Sequence, residues 1–390
     1  MNKTLTLTLL SLVFLFQGTS DLYASSMPEM MRFFMTNQAG IQLTIILFLI
    51  AYGLGQFIWV YFSELYSRRK VIIFNVLLFI LASCLAMLAE NLTTLYMARI
   101  IQGFAISGLN LNVKAMPLEV YDQKEAKIFY TYFALVWGAG GTIAPWIGSN
   151  IQHFFNWKYN FGALAVYALI ILVLVTSFIP KTEKVKNKGK IYLKDYISVI
   201  TNAGFLSGVF AQSCTLAMFL AFNYYMSFYM QNVLHYGVLS FGCISFIAGL
   251  CFILGCLLFR ISITKYNPNK LSIICSLIAI LLSVGLVVLN SKNESIVITT
   301  IATWVIIFCS GVMASENIGI TMLFFPDKAS VASCLHTAIH FMITSGLMYL
   351  LSLFSYSSLT IISSFYCLLV LLFFITNQYC FLKLSSKSNK

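Results

Sequence analysis

The chain has 390 residues, 60% of them hydrophobic and only 9% charged, with a mean hydropathy of +0.88. Soluble domains carry about 25% charged residues, so this composition excludes a water-soluble globular protein. The formal charge of +12 is divided among short segments between apolar runs, which leaves no basic soluble domain to hold nucleic acid.

Apolar runs of roughly 20 residues recur along the chain, each long enough to cross a hydrocarbon core of about 30 Å as a helix. A β-barrel would show alternating segments of about ten residues instead. The pattern predicts an all-α membrane protein with twelve spans. They fall at about 5–25, 38–62, 71–89, 94–116, 128–152 and 159–179, then 204–229, 239–259, 271–290, 296–324, 329–353 and 358–380. With both termini placed in the cytoplasm, twenty Lys and Arg fall on inside segments and three on outside ones. That asymmetry satisfies the positive-inside rule. High Lys, Ile, Asn and Phe usage with only five arginines points to an AT-rich bacterial genome, so a bacterial inner membrane is the expected location. The polar segment "PKTEKVKNKGKIYLKDY" (180–196) separates six spans from six. Six-helix bundles at 1–180 and 204–390, joined by a cytoplasmic linker at 181–203, are therefore expected, an arrangement common among secondary transporters.

The first run admits two readings. Lys3, the apolar stretch Leu5 to Phe16 and the small residues Ala24-Ser25-Ser26 resemble a secretory signal peptide with its cleavage site. Alternatively the run is the first span, with Asp21 inside it. Removing residues 1–24 would leave eleven spans and unpair the halves, so Asp21 is expected to stay. An ionised Asp at a span centre costs about 2.5–3.5 kcal/mol on insertion scales, so such residues face a cavity. A carboxyl that alternates between wet and dry surroundings can carry a proton. The bland reading is an acid at the membrane interface, helped by Tyr23.

Span two ends in "GQFIWVYFSELYSRRKV" (55–71), with Gly55 inside the span and Glu64, Arg68 and Arg69 at its cytoplasmic turn. Glu64 and the arginines can latch helix ends, with Asp327 near span eleven as a further partner for Arg68; the arginines also serve as topogenic charge. Span four holds Arg99, the one cation within a span. Its guanidinium keeps its charge and needs a carboxylate, an anionic substrate group or backbone carbonyls nearby. Gln102 shares its general face. Either they bind substrate and tune the acid, or they tie span four in place.

Span five contains "WGAGGTIAPWIGSN" (137–150). Gly138, Gly141 and Gly148 permit close helix approach, and Pro145 bends the helix, which suits either gating or plain packing. In span seven Tyr224, Tyr225, Phe228 and Tyr229 cluster. Tyr224 is a candidate for stacking on substrate, whereas Tyr229 fits an interfacial aromatic belt. Glu316 in span ten is a second candidate proton or cation site, or an acid paired with a loop lysine. His336 and His340 share one face of span eleven; they can contact substrate or relay protons, or simply pack. Two histidines do not make a metal site. The ten cysteines are scattered without a Cys-x-x-Cys pair and are read as small hydrophobes.

Several of these stretches carry a family likeness. The span two–three segment, "LYMARIIQGFAISG" (95–108) and "WGAGGTIAPWIGSN" resemble the major facilitator superfamily's loop 2–3, Arg-x-x-Gln-Gly and antiporter signatures. "HYGVLSFG" (235–242) and the Asp21, Tyr23, Pro28 spacing resemble the bicyclomycin-resistance (Bcr/CflA) drug:proton antiporters. The loop signature departs from the pattern, reading Glu64-Leu65-Tyr66-Ser67 where Asp-Arg-x-Gly is usual. The resemblance implies the major facilitator fold and a secondary transporter, not an enzyme, exporting a small amphipathic compound by proton antiport with alternating access. It implies proton coupling at Asp21 and Glu316, substrate binding at Arg99, Gln102, Tyr224, His336 and His340, and gating by the span two and span five residues. A siderophore exporter or a nutrient importer would share the fold, and a non-transporting sensor is a remoter reading. No cofactor or metal is expected. The expected partners are a small-molecule substrate, protons and lipid, with the chain a monomer.

Overall fold

In a computed structural model, residues 2–180, 193–263 and 267–388 are described. Most of the 181–203 linker expected from the sequence lies outside them. Twelve long helices follow one another: α1 Lys3–Asp21, α2 Gln38–Leu65, α3 Arg68–Met87, α4 Leu92–Ala115, α5 Gln123–Phe154 and α6 Lys158–Phe178. They continue with α7 Ala203–Phe228, α8 Val238–Ser262, α9 Pro268–Lys292, α10 Ile296–Met322, α11 Ala329–Ser352 and α12 Leu359–Ser388. Among the described residues, ten helices are long and apolar enough to cross a membrane. The two that fall short are α4 and α5, the helices carrying Arg99 and the polar, Gly-rich stretch.

Asparagine and aspartate start many of these helices. Asn37 accepts from the Gly40 amide at 2.9 Å, Asn91 from Thr94 at 2.8 Å, Asp122 from Glu125 at 2.7 Å and Asn202 from Phe205 at 2.8 Å. Each satisfies an amide that the first turn leaves unpaired. The first helix ends at Asp21, four residues short of the expected span boundary. A short 3₁₀ turn (Ala24–Ser26) and a helix (Met27–Phe33) carry the chain on.

The described chain forms two compact units, Met1–Lys190 with Gly237–Cys243, and Ile191–Tyr236 with Ile244–Lys390. In the first, α1 packs on α5, α6 and α4, while α4 packs on α2 and α3. The apolar run at the start of the chain is thus built into the bundle. In the second, α7 packs on α10, α11 and α12, and α9 on α10 and α12. A short helix, Leu193–Ile200, joins this unit through Val199, which is buried with Phe205, Phe324 and Leu335.

One packing device recurs inside both units. A Cβ on Gly103 of α4 would lie 2.2 Å from the Phe48 carbonyl oxygen of α2, and one on Gly311 of α10 would lie 2.3 Å from the Phe252 carbonyl of α8. Gly55 approaches Ser107, and Gly255 the Phe308 carbonyl, in the reverse direction across each pair. Without glycine the backbones could not come this close, and close backbone approach is how helices gain packing energy in lipid.

Candidate functional site

Asp21 is fully buried at the last turn of α1. Its Oδ2 accepts a hydrogen bond from Gln17 Nε2 at 2.8 Å, one helical turn back, and its Oδ1 has no hydrogen-bond partner. Arg99, also fully buried, approaches from α4. Its Nη1 donates to the Thr19 carbonyl at 3.1 Å and to Gln102 Oε1 at 2.8 Å. Gln102 in turn donates from Nε2 to Ser83 Oγ at 2.8 Å. The guanidinium carbon lies 4.4 Å from the ring centroids of both Tyr23 and Phe48 and 6.0 Å from that of Phe161. Desolvated cation–π contacts of this kind are worth about 2 kcal/mol.

Among the described residues no ion pair joins Asp21 to Arg99; the arginine's bonds go to the Thr19 carbonyl and to Gln102 instead. Of the three kinds of partner expected for Arg99, the structure supplies a backbone carbonyl, together with aromatic faces. Both amide ends of Gln102 are engaged within the bundle, its oxygen by Arg99 and its nitrogen by Ser83. Tyr23 holds Thr44 of α2 through a 3.0 Å hydroxyl contact, and Asn160 of α6 donates to Ser26 at 2.7 Å. The acid and its surroundings are thereby fixed by four helices. An ionised, incompletely bonded carboxylate in such a place is costly, and protonation relieves that cost.

The other expected residues lie elsewhere. Glu316 is buried in the second unit, where Asn377 Nδ2 of α12 donates to its Oε2 at 3.0 Å. No ion pair with a loop lysine is present among the described residues. Tyr224 is fully buried in α7. The His336 and His340 rings are 5.8 Å apart, and His340 Nδ1 is 3.3 Å from Ser213 Oγ. No group of three His, Cys, Asp or Glu side chains is assembled for a metal among the described residues. Tyr229 donates to Glu294 at 2.8 Å.

Of the expected gating residues, Gly55 forms the α2–α4 contact described above. The Glu64 side chain lies outside the description. Arg68 binds Glu119, on the turn after α4, through Nε at 3.1 and 3.2 Å and Nη2 at 2.8 Å, and donates to Asn112 at 3.2 Å. Glu119 was absent from the sequence reading, which offered Asp327 as a partner. Arg69 donates to the Thr176 carbonyl. In α5, the Gly138 carbonyl accepts from Thr142 Oγ1, Pro145 lies inside the helix along with Gly141, and a Cβ on Gly148 would fall 1.6 Å from the Leu22 carbonyl oxygen. Gly148 is therefore the residue against which the Asp21 turn rests.

A family profile described as Major Facilitator Superfamily matches residues 9–345. The chain belongs to the Major Facilitator Superfamily. Members of the superfamily are multi-pass membrane transporters of small molecules, not enzymes. Multidrug resistance protein D of Escherichia coli (strain K12) is 24% identical over 204 residues, 52% of each chain. An uncharacterized transporter of Rickettsia bellii is 25% identical over 175 residues, 42% of this chain and 41% of the relative. The chain spans about two fifths to one half of the length of these curated relatives. Among solved structures, a D-xylose–proton symporter superposes with a TM-score of 0.76 over 95% of this chain and 96% of its own, at 13% identity. That likeness shows the twelve-helix major facilitator fold.

Proposed function

We propose that this chain is a proton-coupled exporter of small amphipathic compounds, working by alternating access in a bacterial inner membrane. In this reading it acts as a monomer with both termini cytoplasmic, and is organised as bundles 1–180 and 204–390 about a linker. The observation that carries the reading is Asp21, a buried carboxyl with one oxygen unbonded, under the influence of an arginine that does not neutralise it by contact. An acid salt-bridged to Arg99 would be locked in its ionised form; this one is free to change protonation state. The membrane potential supplies ~2.3 kcal/mol per charge per 100 mV to each proton that enters.

The export direction is supported by partial likeness to proteins named multidrug resistance protein D and efflux pump FUBT (Fusarium oxysporum, 26% identical over 188 residues). It is supported also by the antiporter-like glycine and proline pattern of α5. The second reading is proton-coupled uptake of a nutrient, favoured by the fold shared with the D-xylose–proton symporter. Siderophore export needs the same coupling and differs only in cargo.

The test uses inverted vesicles, a pH-sensitive dye and ethidium, a neutral dye and an anionic dye as probe substrates. Proton efflux on adding a probe, seen with the wild type and lost in Asp21→Asn, supports the reading. Equal dissipation in both removes Asp21 from the coupling step. Counterflow of a sugar without response to any amphipathic probe replaces export with uptake.

A further inference from the structure

The Asp21 site leaves unexplained a surface at the end of the second unit, where α10 turns into α11 and α12 ends. An open depression of about 380 Å³ lies there, lined by Leu323, Phe324, Phe325 and Leu384 and by the charged pair Asp327 and Lys328. Lys328 reaches toward the short helix Leu193–Ile200, where its Nζ donates to Ser198 Oγ at 3.1 Å. A Cβ on Gly204 would lie 2.5 Å from the Phe324 ring and 3.0 Å from Lys383 Cβ, so a second lysine stands at the same wall. The Lys383 ammonium lies 5.4 Å from the Tyr379 ring centroid.

The short helix is apolar on two sides. Val199 is fully buried in one cluster with Phe324, and Tyr196 packs against that cluster. Ile197 and Ile200, three residues apart and so on one side, are 52% and 44% exposed. Lys194, three residues before Ile197, is exposed as well. A helix bathed only in water would carry polar residues on its outer side. Exposed isoleucines with a lysine beside them suit the boundary between headgroups and acyl chains.

Charge decides what the depression receives. Lys328 and Lys383 outnumber Asp327 around it, which favours an anion over a zwitterion. Asp327 then selects among anions. A carboxylate only accepts hydrogen bonds, so it repels a bare phosphate monoester but accepts from hydroxyls carried on a phosphodiester.

We propose that the depression and the short helix form a docking site for an anionic phospholipid with a hydroxylated headgroup, of the phosphatidylglycerol type. The phosphate is held by Lys328 and Lys383, the headgroup hydroxyls donate to Asp327, and the acyl chains run along the exposed Leu323. Ile197 and Ile200 enter the same leaflet. In the proposed topology this end is cytoplasmic, where basic segments meet anionic lipid. The site is independent of Asp21 and of the direction of transport.

The test titrates the purified full chain, in uncharged detergent, with dihexanoyl phosphatidylglycerol, phosphatidylethanolamine or phosphatidic acid, and with glycerol phosphate. Saturable binding of phosphatidylglycerol, tighter than that of phosphatidylethanolamine and accompanied by slower hydrogen exchange at residues 193–200, supports the site. Lys328→Gln and Lys383→Gln, both changes at the surface, each weaken that binding about fivefold, equivalent to about 1 kcal/mol. Asp327→Ala brings phosphatidic acid level with phosphatidylglycerol, while Lys158→Gln, in the first unit, binds as the wild type does. Absence of saturable binding in wild-type protein that unfolds cooperatively overturns the proposal. So does equal binding of phosphatidylglycerol and phosphatidylethanolamine, or binding unchanged in both lysine variants. Glycerol phosphate binding as tightly as the lipid would make this a site for a free phosphate and overturns it too.

Discussion

Arg99 and Tyr23 meet with the guanidinium carbon 4.4 Å from the ring centroid, and Phe48 offers a second ring at the same distance. The arrangement depends on a flat cation. A lysine ammonium is compact and more strongly hydrated, and it cannot both lie along two rings and reach the Thr19 carbonyl. Arg99→Lys is expected to lower stability by about 1–3 kcal/mol. Arg99→Leu should behave differently, because it removes a buried charge that has no ionic partner and is therefore close to neutral for folding. Proton-coupled transport should be lost in both. Thermal unfolding in detergent beside vesicle flux separates the two effects, and a leucine variant that transports normally would show Arg99 to be only a tie.

The glycines give a sharper test of packing. Gly148 places α5 so near the end of α1 that a methyl group would fall 1.6 Å from the Leu22 carbonyl oxygen, and a backbone atom cannot step aside as a side chain can. Gly148→Ala should shift the Asp21 turn and cost at least about 1–3 kcal/mol. Gly285, on α9, has nothing within 4 Å of its would-be Cβ. Gly285→Ala should be neutral or stabilising by about 0.5–1 kcal/mol, from helix propensity. Unfolding temperatures of the two variants measured side by side decide this, and a tolerated Gly148→Ala would contradict the close α1–α5 contact.

Much of this was legible in the sequence. Twelve apolar runs gave twelve helices, since the bilayer forces every backbone group to be satisfied within the helix. Asp21, Arg99 and Glu316 stood out because ionised groups are expensive in such runs. Their partners were not legible. Phe48, which lies under Arg99, and Asn377, which donates to Glu316, are neutral residues that look ordinary in any span, and they come from other helices. The Thr19 carbonyl is backbone and leaves no mark in a side-chain pattern. Glu119 was hidden for another reason: a lone acid in a loop resembles topogenic charge until its bidentate arginine is seen. The end of α1 was set by the 3₁₀ turn at Ala24–Ser26, in a stretch rich in small residues that hydropathy cannot divide.

The Arg68–Glu119 pair is nearly buried, with side chains 8% and 16% exposed. Removing one partner leaves the other charge largely desolvated, so Glu119→Gln should cost about 2–4 kcal/mol. Asn112, which accepts from Arg68 and donates to Ser63 at 3.1 Å, would lose its fixed orientation as well. A double-mutant cycle with Arg68→Gln should show strong coupling, the double variant being about as stable as either single one. Additive losses would mean that the contact contributes little.

Glu294 braces the start of α12. Its carboxylate accepts from the Leu359 amide at 2.9 Å and from Tyr229 at 2.8 Å, and also from the Ser358 hydroxyl. The Leu359 amide is one that the first turn of a helix cannot satisfy internally, and a negative charge there also complements the helix dipole. Tyr229 ties the same carboxylate to the end of α7, so one side chain joins two helix ends. Glu294→Ala should therefore lower stability by about 1–3 kcal/mol and speed hydrogen exchange at residues 359–362. Tyr229→Phe keeps the cap and loses only the tie, so it should cost about 1 kcal/mol and leave that exchange slow. Equal exchange rates in the two variants would show that the helix start is held by something other than Glu294.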